Sequence, residues 1–99
     1  HLRGRTLIAQ NQHVKAESFL MQSLDMATAW NERWLIALAR LHLAEVYRAT
    51  ARTPSARHMV EEARDLFTRI GMTDWLAQAD KFLHELPDDD DLLRQLLEA

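Results

Sequence analysis

The chain has no cysteine, two glycines, two prolines and one tyrosine among its 99 residues, and neither sign of charge is in large excess. Without cysteine there is no disulfide framework, no thiolate metal site and no thiol nucleophile, which fits a reducing compartment such as the cytoplasm. So few glycines and prolines leave little material for tight turns, whereas the abundant Ala, Leu, Glu, Gln and Arg are helix formers, so an all-α fold is expected. No apolar run reaches the roughly 18 residues of a membrane span, and no charged start with an apolar core marks a signal peptide. The net charge is −3, and the run Asp88 to Asp91 alone exceeds it, so the rest of the chain is nearly neutral. Arg40, Arg48, Arg52 and Arg57 offer at most a local basic patch, too little for the phosphate neutralisation that nucleic-acid binding needs. There is no phosphate-binding glycine loop and no Gly-x-Ser-x-Gly elbow, so nothing points to a catalytic site.

What is present is apolar residues at helical spacing. Hydrophobic residues make up 47% of the chain, including three Trp, enough for the core of one small domain. The sequence predicts a short helix over Leu2 to Gln10, stopped at Asn11 in a left-handed conformation. A second helix follows from His13 to Trp30, with Ala16, Phe19, Leu20, Leu24 and Ala27 on one face. A third, from about Glu32 to Ala51, carries two apolar sides: Trp34, Ala37, Leu38 and Leu41 on one, Ile36, Ala39, Leu43, Val46 and Tyr47 on the other. Two such sides suit a central helix with neighbours on both flanks. In the fourth, Thr53 is expected as cap and Pro54 at the first position. Ala56, Met59, Val60, Ala63, Leu66, Phe67 and Ile70 form its stripe, Arg57–Glu61 and Asp65–Arg69 pair on its outer face, and Gly71 stops it. Thr73 opens a fifth helix with Trp75, Leu76, Ala79, Phe82, Leu83 and Leu86 buried, ended by Pro87. Asp88 to Ala99 reads as a short amphipathic helix whose aspartates serve as caps and whose leucines cover the end of the stack.

A register of forty residues links these segments. Ala44, Tyr47, Ala56 and Val60 repeat Gly4, Leu7, Ala16 and Leu20, and Pro87 falls where Tyr47 stood, so the register ends there. With Leu43 and Ala63, these positions fall at the packing offsets of a tetratricopeptide repeat. The chain from Leu2 to about Leu86 resembles tetratricopeptide-repeat regions of the long-helix kind. The segments LRGRTLIAQNQHVKAE and ARDLFTRIGMTDWLAQADKFL look like the repeats of bacterial regulatory ATPases, LuxR-type transcriptional regulators and cyclase-linked proteins. Arg40 departs from the usual Trp, Val60 from the usual aromatic, and forty exceeds the usual period of thirty-four. The resemblance implies antiparallel helical hairpins stacked as a right-handed superhelix with a terminal capping helix. Repeat one would span about 1–30, repeat two about 31–71 and the terminal helices about 73–98. Since the sequence opens with His1 in a helical pattern, it reads as a piece of a longer protein, and the stop of the register at Pro87 makes it the expected end of an array.

By the same implication the module is non-catalytic and regulatory, needs no cofactor, and binds a protein, a peptide or a neighbouring domain of its parent. No direct binding to nucleic acid and no membrane binding are expected. The repeat geometry turns Arg5, Ile8, Leu38, Leu41, Glu45 and Arg48 toward a concave groove, with Lys81 and Glu85 from the fifth helix beside them. Alternatives are a structural spacer within a longer helical array, or a homodimerisation module joined through Leu92, Leu93, Leu96 and Leu97. His42 with Glu45, and His58 with Glu61 and Glu62, raise a metal site, but they lack the Glu-x-x-His order of helical carboxylate centres, so solvated histidines are expected. Trp34 and Trp75 are expected in the core and Trp30 partly exposed.

Overall fold

Three helix ends, at Asn31, Ala51 and Gly71, repeat one backbone device every twenty residues. Each takes a left-handed conformation, with φ of 56°, 60° and 84°. The next residue then sends its N–H to the carbonyl five residues back: Glu32 to Ala27 at 2.9 Å, Arg52 to Tyr47 at 2.7 Å and Met72 to Phe67 at 2.9 Å. That same residue's carbonyl accepts the N–H four positions on, from Ile36, Ala56 and Leu76. One helix is thus closed and the next begun within two or three residues, and orphaned end groups are satisfied without side chains.

The computed structural model describes residues 2–98, with side chains for residues 9–88 and 90–98. Five helices follow one another: α1 (Leu2–Ala29), α2 (Arg33–Ala49), α3 (Thr53–Ile70), α4 (Thr73–Glu85) and α5 (Asp89–Glu98). The protein is all-α, with no strand among the described residues. Sequence neighbours pack in space: α1 on α2, α2 on α3, α3 on α4. The central position expected for α2 is observed, since Ala37, Ala39, Leu41, Leu43, Ala44 and Val46 are all buried.

Ala37, Leu41 and Ala44 of α2 join Ala56, Val60, Ala63 and Phe67 of α3 and Ala79, Phe82 and Leu86 from α4 and its end in one core cluster. Alanines at the crossing points let helix axes approach closely, and Phe67 fills the space left over. The Phe67 and Trp75 rings stack with centroids 6.1 Å apart. Charged side chains then tie the helices at their rims. Arg40 meets Glu62 at 3.2 Å, Arg64 meets Asp80 at 2.7 Å, and Arg52 holds Glu17 of α1 through two nitrogens at 2.9 and 3.2 Å.

Several sequence expectations change. Helix α1 runs through Asn11 without a break, because 28 residues of continuous hydrogen bonding outweigh a residue that merely tolerates a turn. The left-handed asparagine is Asn31 instead. Thr53 and Thr73 are first helical residues rather than caps. The cap positions belong to Arg52 and Met72, which the turn motif recruits through their backbone, and neither makes a side-chain cap bond. Phe19, Trp34 and Ile70 are exposed, although their spacing predicts burial. Phe19 lies one residue, about 100° round the helix, from half-buried Leu20 and is left in solvent. Trp30 is exposed, as expected, at 63%.

The pairs Arg57–Glu61 and Asp65–Arg69 do not form among the described ion pairs. Arg57 donates to the carbonyl of Pro87 at 2.6 Å, tying α3 to the segment before α5. The aspartates do cap: Asp91 N–H donates to Asp88 Oδ1 at 2.7 Å and Asp88 N–H to Asp91 Oδ2 at 3.4 Å, a reciprocal box at the start of α5. The leucines of α5 do not cover the stack. Only Leu92 is half-buried, while Leu93, Leu96 and Leu97 stand exposed.

Candidate functional site

Arg48 sits in the last turn of α2, where a cation also complements the negative helix end. Its guanidinium carbon lies 4.2 Å from the centroid of the Phe82 ring on α4, and its Nη1 lies 3.4 Å from Glu85 Oε2. Because Phe82 is anchored in the core, the ring is a fixed platform and the arginine fork above it is oriented before any ligand arrives. With Gln78 and Lys81, these residues line an open recess of about 300 Å³ between α2 and α4. Arg48 and Lys81 are exposed. Such a surface can bind a carboxylate by charge-assisted hydrogen bonds and lay an apolar group on the ring.

The eight residues assigned to a groove by sequence therefore separate. Arg48, Lys81 and Glu85 come together in this recess. Glu45 is exposed one turn before Arg48 and pairs with His42 Nδ1 at 3.6 Å. Leu41 is a correction: at 3% exposure it is a core residue, held between α2 and α3, and cannot face a ligand. Leu38 is half-buried and lines a different recess. The side chains of Arg5 and Ile8 lie outside the described residues.

That second recess, about 370 Å³, lies between α1 and α2 and is almost wholly apolar, with Leu20, Met26, Ala27, Trp30, Leu35 and Leu38 on its walls. Met26 and Trp30 are more than half exposed at its rim. Sequence reasoning assigned Leu20 and Ala27 to a buried face and did not foresee an open recess there. The signal for it was the excess of large apolar residues on α1 over what one neighbour can cover.

Compared with known protein families, curated proteins and solved structures, the chain matches none. The site must therefore be read from its own chemistry. The histidine pairs stay local: His58 Nε2 lies 2.7 Å from Glu62 Oε1, and Glu62 also meets Arg40. The His42–Glu45 pair is not part of that cluster, and no group of three or more metal-ligating side chains converges among the described residues. The basic patch imagined from Arg40, Arg48, Arg52 and Arg57 does not form as one free surface: Arg40, Arg52 and Arg57 are engaged by a carboxylate or a carbonyl, and of the Arg48 fork one nitrogen, Nη1, meets Glu85.

Arg52 is the most constrained of the four and was missed as a site of order. It binds Glu17, donates to Thr50 Oγ1 at 3.1 Å and lies 4.4 Å from the Tyr47 ring. The hydrogen bonds Arg52 donates to Glu17 hold the guanidinium pKa above its ordinary value, and desolvation opposes this. The group is a permanent cation linking α1 to the α2–α3 turn. No described helix is long and apolar enough to cross a membrane.

Proposed function

We propose that this chain is a non-catalytic protein-interaction or regulatory module, built as a tetratricopeptide-like stack of antiparallel helical hairpins with right-handed superhelical twist. The observation that supports this reading is the left-handed helix-to-helix link shared by Asn31, Ala51 and Gly71, because two twenty-residue units make one hairpin of forty. The partner is a peptide or a neighbouring domain, held on the face formed by α2 and α4. Arg48 and Lys81 take a carboxylate from it, and Phe82 supports an apolar group beside that carboxylate. The mechanism is placement. A rigid stack holds the partner at a fixed distance and angle and so biases an adjoining output domain, in the manner of bacterial signalling and transcription regulators, and a cysteine-free chain suits the cytoplasm.

A random-peptide display selected on the chain and counter-selected on an Arg48→Glu/Lys81→Glu variant tests this. Acidic peptides with an adjacent apolar residue should be enriched, and each should bind the variant about tenfold or more weakly. Peptides that bind wild type and variant equally, or no enrichment at all, would sink the α2–α4 reading.

A further inference from the structure

The apolar recess between α1 and α2 has an internal counterpart, and that counterpart is filled. A shift of forty residues carries the turn at Asn31 onto that at Gly71. It also carries Leu20, Ser23, Ala27 and His42 of the recess onto Val60, Ala63, Phe67 and Phe82. Those four belong to the core cluster, where Ala37, Leu41 and Ala44 of α2 lie against them. The equivalent surface at α1 and α2 is thus shaped to receive one more helix with a small or aliphatic stripe. None of the described helices occupies it, and Met26 and Trp30 are left 52% and 63% exposed at its edge.

The same chain carries one helix with its stripe unpartnered. Leu93, Leu96 and Leu97 of α5 are 56%, 76% and 80% exposed, and i, i+3, i+4 spacing puts them on a single face. We infer that α5 of a second copy of this chain occupies the α1–α2 recess. Met26 and Trp30 leave on the order of 250 Å² of apolar surface open at the recess, and the α5 leucines about 400 Å². Two reciprocal contacts therefore bury about 1,300 Å², at the lower end of standard specific interfaces. Exchange of α5 in both directions closes on a two-fold axis and leaves no open end for further growth. The inference uses the forty-residue correspondence that also underlies the proposed function, but not the α2–α4 recess, so peptide selection on Arg48 and Lys81 and self-association succeed or fail separately.

The absence of cysteine makes the test direct. Met26→Cys and Leu97→Cys chains, prepared separately and mixed under mild oxidation, should give a disulfide-linked dimer of one chain of each kind. Wild type should run as a dimer in light scattering. A Leu96→Glu/Leu97→Glu variant should keep its helical circular dichroism, because both positions face solvent, and should raise the dimer dissociation constant about tenfold or more. Three outcomes would overturn the proposal: a monomer at all accessible concentrations, as when a different helix is the occupant; a Met26→Cys disulfide formed equally well without the Leu97→Cys partner, meaning recess against recess; or association unchanged by the two glutamates.

Discussion

Replacing Ala51 with glycine should make this protein more stable, although glycine inside or beside a helix ordinarily weakens it. Ala51 has φ of 60°, is exposed, and sits in the turn where its N–H donates to Arg48 carbonyl at 3.2 Å. An L-residue held in the left-handed region costs about 1–2 kcal/mol because Cβ crowds the following carbonyl oxygen. Glycine removes that cost but adds unfolded-state freedom of about 0.5–1 kcal/mol. The balance is a gain of about 0.5–1 kcal/mol, or roughly 2–8 °C in Tm for a domain of this size.

Gly71 supplies the reverse experiment. Its φ is 84°, and a Cβ added there meets nothing within 4 Å, so Gly71→Ala isolates the backbone term and should lose about what Ala51→Gly gains. Urea denaturation followed at 222 nm should show the two midpoints moving in opposite directions with unchanged slope. If Ala51→Gly lowers the unfolding free energy by about 1 kcal/mol, residue 51 is right-handed and helical in solution, and the twenty-residue repetition of turns is refuted with it.

Further outcomes follow from the same contacts. A double-mutant cycle of Glu17→Gln with Arg52→Ala should give a coupling of about 0.2–1 kcal/mol, reduced at high salt because the arginine side chain is 46% exposed; zero coupling at low salt would mean the α1–turn tie is not formed. Phe67→Ala should cost about 3–5 kcal/mol and alter Trp75 emission, whereas Phe19→Ala, at a site 69% exposed, should cost less than about 0.5 kcal/mol; equal losses in calorimetry would contradict the assigned core. Asp88→Ala should unravel α5 locally, at about 1 kcal/mol, raising amide exchange over residues 90–98 while leaving the global midpoint in place. A matching fall in the global midpoint would show that α5 is part of the cooperative core.

The helices themselves were largely written in local chemistry. The stripe Ala56, Val60, Ala63, Phe67 and the two apolar sides of α2 specify which faces are buried, Gly71 specifies a stop, and Asp88 with Asp91 specifies a cap. Where local reasoning went astray, the deciding term was backbone hydrogen bonding or the position of a neighbour. Asn11 has the character of a helix stop, yet the helix continues because nothing else ends it. Thr53 and Thr73 have the character of caps, yet the turn motif satisfies the ends through Arg52 and Met72. Phe19, Trp34 and Ile70 obey the period but fall beyond the reach of the next helix.

The site divides in the same way. The sequence named Arg48, Lys81 and Glu85 by register, and their association across α2 and α4 depends on Phe82 being anchored below them. It also named Leu38 and Leu41, whose exposure depends on which helix lies alongside, and that is set by packing between segments far apart in the chain. By itself the sequence determined an all-helical chain, the phase of most of its buried faces and the helix stop at Gly71, because these follow from side-chain period and backbone preference within a few residues. Only the tertiary structure decided which recess stays polar, which stays apolar and open, and that the leucines of α5 remain uncovered, because those depend on how distant helices share a limited amount of surface.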